Sequence, residues 1–154
     1  MVKRIWFVKL LSFFLALVLG SWPLPPLIGL WRPDWVMLVL IYWALHPLGQ
    51  SLSFTFVLGL LLDVQTGTPM GVHTLSLCIV VWAAAQYGRR TRVFSLWQTS
   101  TLVAVLAVIF RGVNWLVLNI VSYSDHDVLY VLPVLSSALA WPMLVVLMRR
   151  YGGR

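Results

Sequence analysis

The chain has 154 residues, of which 61% are apolar and only 10% are charged. A soluble domain carries about 25% charged residues, so this composition is typical of an integral membrane protein. It excludes disordered and collagen-like chains, and the single cysteine, Cys78, excludes a disulfide scaffold.

Six apolar stretches follow one another along the chain, and we expect each to form a helix. They span residues 5–21, 35–48, 51–64, 69–87, 96–121 and 128–148. About 20 helical residues cross the hydrocarbon core of a bilayer, and the first and the last three stretches come close to or exceed this length. The second and third are shorter, and Pro47 and Gly49 between them favour a tight turn. Residues 33–64 are therefore expected to form a helical hairpin that either crosses the membrane twice or is partly re-entrant.

The first stretch follows basic residues, as a secretory signal does, but its end offers only Gly20 and Ser21 as a cleavage site, ahead of the bulky Trp22. We therefore expect it to remain as the first of about six transmembrane helices. The prediction for the whole chain is an all-α polytopic membrane protein with a single transmembrane domain over residues 1–154.

Basic and acidic residues are expected on opposite sides of the membrane. There are eleven Lys and Arg, four Asp and no Glu, which gives a net charge of +7. With a cytoplasmic N-terminus and an even number of crossings, the basic residues that fall inside are Lys3, Arg4, Lys9, Arg89, Arg90, Arg92, Arg149, Arg150 and Arg154. Because Lys and Arg near helix ends are retained in the cytoplasm, both termini are expected there. The basic residues lie at the ends of apolar runs and not on one water-exposed face, so no nucleic-acid partner is expected.

Five polar residues lie within or beside the predicted spans, where an unpaired polar group is costly. They form a candidate intramembrane polar cluster: Asp34, Asp63, His73, Arg111 and Asn114. Arg111 lies about 13 Å from the outer end of its helix, which its side chain only partly covers by snorkelling. We expect it to approach an acid, and Asp63 is the best placed in depth. The alternative is a snorkelling Arg111 and a solvated Asp63.

The link between the third and fourth helices contains Gly67 and Gly71, which permit unusual backbone angles. Pro69 fits the first turn of the fourth helix, and Thr68 is a candidate cap. Such a break directs amide donors of the fourth helix toward Asp63, and the same arrangement also suits an anion. A structural turn is the preferred interpretation.

The sequence holds no recognisable catalytic or metal-binding pattern. Asp125, His126 and Asp127 offer ligands for a divalent cation, but three adjacent residues cannot all face one ion, so a solvated loop is the default. Nucleotide-binding loops, paired-cysteine metal sites and G-x-S-x-G motifs are absent from the sequence. We therefore expect no enzymatic activity and no catalytic, cofactor-binding or metal site.

A set of short motifs resembles the bacterial rod shape-determining protein MreD family. Pro33 and Trp35 open the second helix, and a Tyr-Trp pair follows within it at residues 42–43. A Gly-Leu-Leu-x-Asp motif closes the third helix at residues 59–63, and a Gly-x-His motif opens the fourth at residues 71–73. Together they cover about a quarter of the chain.

This resemblance implies a multi-pass subunit of the bacterial inner membrane that belongs to the cell-wall elongation machinery, or elongasome. It implies association with an MreC-like protein and, through it, with MreB, RodA and penicillin-binding protein 2. The family is also similar in architecture to the six-helix substrate-binding subunits of energy-coupling-factor vitamin transporters.

Two functions are compatible with these features. The first is a non-enzymatic scaffold, required for cell shape and side-wall peptidoglycan synthesis, that contacts partner helices through patches of small residues. The candidate patches are Ala83, Ala84 and Ala85 on the fourth helix and Ser136, Ser137, Ala138 and Ala140 on the sixth. Packing within the monomer is the alternative for either patch. The second function is binding of a small molecule or lipid-linked precursor, with Asp34, Asp63, His73 and Arg111 as the polar end of an outward-facing cavity.

Overall fold

The computed structural model describes residues 2–22, 25, 31–46, 49–88, 95–121 and 132–152, with side chains except at residues 2–4, 132, 151 and 152. This part of the chain forms six helices: α1 Val2–Ser21, α2 Trp35–Leu45, α3 Leu52–Thr66, α4 Val72–Tyr87, α5 Leu96–Ile120 and α6 Leu132–Gly152. The prediction of an all-helical protein is confirmed. Among the described helices, α5 is long and apolar enough to cross a membrane.

The boundaries of α4 differ from the prediction. Pro69 and Thr68 lie in the link before the helix, and Gly71 is the N-cap with φ of 108°. The prediction that Pro69 occupies the first helical turn and that Thr68 caps it is therefore wrong. Gly71 adopts a left-handed conformation that other residues rarely take, and the helix begins at Val72, three residues after the proline. The helix has 16 residues and rises about 24 Å.

Several predicted features lie outside the described residues. They are Pro47 in the predicted turn, the basic cluster Arg89, Arg90 and Arg92, the segment Asp125 to Asp127, and Arg154. The side chains of Lys3 and Arg4 are likewise outside the described part of the chain.

Helix α2 occupies the centre of the bundle. Eight of its 11 residues are buried, and α1, α4, α5 and α6 all pack against it. Helix α3 packs against α4, and its Phe54 contacts Phe13 of α1 with 5.1 Å between ring centroids. Five helices thus surround α2 in the order α1, α3, α4, α5, α6. A helix that is apolar on every side, as this one is, favours such a buried position.

Successive helices run in opposite directions. Trp43, near the end of α2, donates from Nε1 to Ser12 Oγ of α1 at 3.1 Å. Gln65, at the end of α3, contacts Ser21 at the end of α1. Asp34, at the start of α2, contacts Ser137 near the start of α6. One end of the bundle, here called the Asp34 end, therefore holds the C-termini of α1, α3 and α5, and the opposite Lys9 end holds the start of α1 and the end of α6.

Helices α3 and α4 approach each other most closely at Gly59. A Cβ atom built on Gly59 would lie 2.4 Å from Thr74 Cα, so only glycine fits without moving one backbone. Gly112 of α5 is also helical, but a Cβ atom there would meet nothing within 4 Å. The two glycines provide a matched pair for testing this contact.

We expect Gly59→Ala to lower the free energy of unfolding by about 2 kcal/mol, because the added methyl group overpacks the interface of α3 and α4. Gly112→Ala should raise it by up to about 1 kcal/mol, because alanine is the better helix former. Thermal unfolding in detergent, followed by circular dichroism, measures both. Equal transition temperatures for Gly59→Ala and the unchanged chain would contradict the close approach.

Candidate functional site

Arg111 of α5 forms an ion pair with Asp34 at the N-cap of α2. Arg111 Nη2 lies 2.7 Å from Asp34 Oδ1, and Arg111 Nε lies 3.0 Å from Asp34 Oδ2. The side chains of Arg111 and Asp34 are 20% and 21% exposed. Two parallel N–H···O bonds of this kind fix orientation as well as distance. The pair therefore holds the start of α2 against α5.

Asp34 also connects α2 to α6. Its backbone N–H donates to Ser137 Oγ at 3.1 Å, and Ser137 is completely buried. The Asp34 carboxylate makes no capping bond to its own helix. Its backbone and its side chain thus bind two different neighbouring helices.

The prediction that Arg111 pairs with Asp63 is wrong, and so is the alternative of a solvated Asp63. Asp63 is completely buried, and its carboxylate binds donors from α4 and the link before it. Arg111 reaches Asp34 because α2 and α5 are neighbours in the bundle. Depth in the membrane, as judged from sequence, favoured the wrong acid.

Asp63 caps α4 from the preceding helix. Its Oδ2 accepts from the backbone N–H of Gly71 at 2.8 Å and from Thr74 Oγ1 at 2.8 Å. Its Oδ1 accepts from the backbone N–H of His73 at 2.8 Å and lies 3.0 Å from His73 Nδ1. Thr68 Oγ1 donates to Oδ1 at 3.2 Å. The first amides of a helix lack partners within it, and this carboxylate satisfies them.

The chain reverses tightly enough to allow this contact because Gly67 ends α3 in a left-handed conformation, with φ of 66°. The backbone N–H of Thr68 then donates to the carbonyl of Asp63 at 3.1 Å. The sequence correctly predicts that amides of α4 point toward Asp63. Since the carboxylate already occupies these donors, an external anion would have to displace it.

Asn114 belongs to a third contact, between α4 and α5. It is 2% exposed, and its Oδ1 accepts from Ser76 Oγ of α4. The His73 ring lies 6.1 Å from the ring of Phe110, which precedes Arg111 in α5. The five residues of the predicted cluster therefore lie toward the Asp34 end and form separate contacts that join α2, α3, α4, α5 and α6.

The predicted patches of small residues face in more than one direction. Ala84 and Ser137 are completely buried within the bundle. Ala85 is exposed, whereas Ala83, Ser136, Ala138 and Ala140 are half-buried. Ser137 contributes a hydrogen bond to Asp34, a role that its small size did not indicate.

Lys9 lies in the interior of the bundle, whereas the sequence indicated it only as a marker of membrane orientation. Lys9 is 9% exposed, and its Nζ donates to the backbone carbonyl of Gly49 at 3.3 Å. The same Nζ lies 5.4 Å from the ring centroids of both Trp6 and Trp43. A basic residue two turns inside an apolar helix was the available signal, because such a charge requires partners.

Two apolar cavities are open at the surface of the described bundle. One, of about 510 Å³, lies between α1 and α6 over α2, and the other, of about 680 Å³, lies on α3 and α4. The lining residues of both cavities exclude Asp34, Asp63, His73 and Arg111. The polar groups of the predicted cluster serve instead to join helices.

We expect Asp34→Asn and Arg111→Leu each to lower the free energy of unfolding by about 2 kcal/mol, because each leaves a half-buried partner without its counter-charge. In the double variant, the loss of unfolding free energy should be smaller than the sum of the two single losses by at least about 1 kcal/mol. Unfolding in mixed detergent micelles measures all three losses. Asp34→Asn combined with Arg149→Leu, at the opposite end, serves as the additive control. Additive losses for Asp34 and Arg111 would show that the two are not coupled.

Asp63→Asn should lower the free energy of unfolding by about 3 kcal/mol, since one amide group cannot accept from all the donors that surround the carboxylate. Thr68→Val removes one of those donors and should cost about 1 kcal/mol. Hydrogen exchange locates the effect: the amides of Gly71 and His73 should exchange much faster in Asp63→Asn than in Thr68→Val. Unchanged protection at these amides would contradict the capping role.

Comparison with known proteins identifies the family. A family model described as rod shape-determining protein MreD matches residues 1–151. A Haemophilus influenzae protein named rod shape-determining protein MreD is 35% identical over 150 residues, which cover 94% of this chain and 90% of that protein. No solved structure matches the chain. The resemblance indicated by its short motifs is confirmed, and this chain belongs to the rod shape-determining protein MreD family.

Proposed function

We propose that this chain is a non-enzymatic scaffold of the bacterial inner membrane that supports rod shape through contacts with partner proteins within the bilayer. The family match supports a role in rod shape determination, and the family is not a known enzyme. One structural observation carries the scaffold mechanism: the outer faces of the bundle are apolar, while Asp34, Asp63 and Arg111 are bound to other groups of the bundle. The surfaces that remain available are those that meet lipid or another helix.

The outer faces carry many large apolar side chains. Examples are Phe7 and Phe14 on α1, Val64 on α3, Trp82 on α4 and Leu139 on α6, each more than half exposed. Contiguous apolar surface of this extent marks a membrane or an interaction site. Between helices in lipid, association depends on close packing and a few polar contacts, because lipid tails are as apolar as the helices.

The proposed topology has six crossings in a single transmembrane domain, with both termini in the cytoplasm. The alternating helix directions support an even number of passages. The Lys9 end carries Arg149 and Arg150 in the last turn of α6, as expected for a cytoplasmic face. Helix α2 is short for a crossing, but it is enclosed by protein, where such a segment is tolerated.

The proposed partners are an MreC-like protein and, through it, MreB, RodA and penicillin-binding protein 2. The two patches of small residues are the proposed contact surfaces, since small side chains let a partner helix approach closely. Of their members, Ala85 is exposed and Ala138 half-buried on the outside of the bundle. Side-wall peptidoglycan synthesis would then depend on this chain through assembly of the complex and not through chemistry of its own.

The alternative, a subunit that binds a small molecule as vitamin-transporter components do, gains less support. It needs polar groups that face a cavity and are available to a ligand. Asp63 is buried among donors of its own chain, and Asp34 and Arg111 bind each other. The retention of a defined small ligand that is lost on changing Asp63 or Arg111 would nevertheless favour this function.

Ala85→Trp and Ala138→Trp test the scaffold. We expect each to reduce recovery of the MreC-like protein in mild-detergent isolations and to leave cells that lack the native gene rounded, because the indole blocks helix contact. Ala104→Trp, at a half-buried position of α5 outside both patches, is the matched control and should restore rods. Membrane levels of all three variants are compared by immunoblot.

Two results would contradict the proposal. If both patch variants bind the partner and restore rods, the patches are not the contact surfaces. If the unchanged chain is isolated without any protein in fixed ratio, the scaffold mechanism itself fails.

A further inference from the structure

We propose that the groove between α1 and α6 binds one acyl chain of an anionic phospholipid, whose phosphate contacts Arg150, with the charge of Arg149 nearby. The groove has a volume of about 510 Å³ and is open to the outside of the bundle. This volume falls within the range of small-molecule sites, about 300 to 1,000 Å³. The inference is independent of the scaffold function.

The groove is long, narrow and almost entirely apolar. Its walls include Phe7 and Leu15 of α1 and Met143 and Leu147 of α6, and its floor includes Val39 of the central helix. From Phe7 to Leu19, which both line it, α1 rises about 18 Å. An extended hydrocarbon chain matches this shape and polarity.

The lining of the groove does not favour a helix of a partner protein. Helices in lipid associate through small side chains and interhelical hydrogen bonds. The walls of the groove carry mainly large apolar side chains, and the hydroxyl group of Ser12, which also lines it, already donates to the carbonyl of Lys9. A flexible acyl chain needs no such contacts, so it is the occupant that the groove favours.

The charge at the Lys9 end favours an anionic headgroup. Met148 lines the groove, and the exposed Arg149 and Arg150 follow it directly. Arg150 lies seven residues after Met143 and three after Leu147, on the same face of α6. The carboxylates of the described residues, Asp34 and Asp63, both lie toward the opposite end, so neither neutralises these arginines. Basic residues beside a groove between membrane helices are the features that recognise anionic headgroups.

The test compares dioleoyl phosphatidylglycerol with dioleoyl phosphatidylcholine, which share acyl chains and differ in headgroup charge. The purified full chain is stripped of lipid, titrated with each lipid in detergent, and the bound lipids are counted by native mass spectrometry. We expect one phosphatidylglycerol to bind about thirtyfold more tightly than phosphatidylcholine, from two basic residues near the headgroup.

Charge variants test the headgroup contact. The double variant Arg149→Gln and Arg150→Gln should bind phosphatidylglycerol as weakly as phosphatidylcholine, whereas Arg149→Lys with Arg150→Lys should keep most of the preference. Equal affinity of the unchanged chain for the two lipids would overturn the proposal. So would a preference that persists in the double glutamine variant.

Groove variants test the acyl chain. Leu15→Trp fills the groove and should weaken binding of both lipids at least tenfold. Leu75→Trp is the matched control, because Leu75 of α4 is 49% exposed, Leu15 is 50% exposed, and Leu75 lines neither cavity. Equal thermal stability of the two variants would show that both fold. Unchanged lipid binding by Leu15→Trp would overturn the proposal. So would a partner protein, in place of lipid, cross-linked to the Leu15→Cys variant.

Discussion

The length and position of α2 constrain the rest of the bundle. The helix has 11 residues and rises about 16 Å, roughly half the thickness of a hydrocarbon core, yet it lies at the centre with other helices on all sides. In the proposed topology, both of its ends fall at depths where water does not satisfy the backbone, and an unsatisfied peptide group there costs several kcal/mol. The neighbouring helices have to supply partners for the chain where it enters and leaves α2.

Two basic residues that look misplaced in the sequence are explained by this constraint. Arg111 lies well inside α5, and it reaches Asp34 where α2 begins. Lys9 lies two turns into α1, and it donates to Gly49, just beyond the end of α2. Each cation occupies the level at which the short central helix stops. A charged side chain that would be unfavourable beside lipid thus connects two parts of the chain. Removing Arg111 or Lys9 would leave its hydrogen-bond acceptor, the Asp34 carboxylate or the Gly49 carbonyl, without that donor.

The sequence predicts some of this arrangement and not the rest, for identifiable reasons. Six apolar runs separated by turn residues predict six helices, and Gly67 and Gly71 predict a link that directs the amides of α4 toward Asp63. These are local features. The partner of Arg111 is not local. Because α2 is apolar on every side, it carries no stripe that indicates its neighbours, and depth in the membrane favoured Asp63 over the true partner, Asp34. The hydrogen bond from Asp34 to Ser137 crosses 103 positions of sequence, and nothing near Ser137 distinguishes it from a residue chosen for small size.

The need to bind the ends of α2 also limits which parts of the bundle are available for binding. The polar side chains of the predicted cluster bind other groups of the bundle: Arg111 holds the start of α2, and Asp63 caps α4. They are therefore poorly available to an external ligand. The outer surface of the bundle consists of apolar faces, the accessible members of the two patches of small residues, and a narrow groove. Recognition through shape in lipid depends on rigid helix positions, because association there rests on close packing and has little hydrophobic driving force. The contacts at the ends of α2 lie inside the bundle, but they fix the positions of the helices. They therefore also determine the shape of any outer surface that a partner binds.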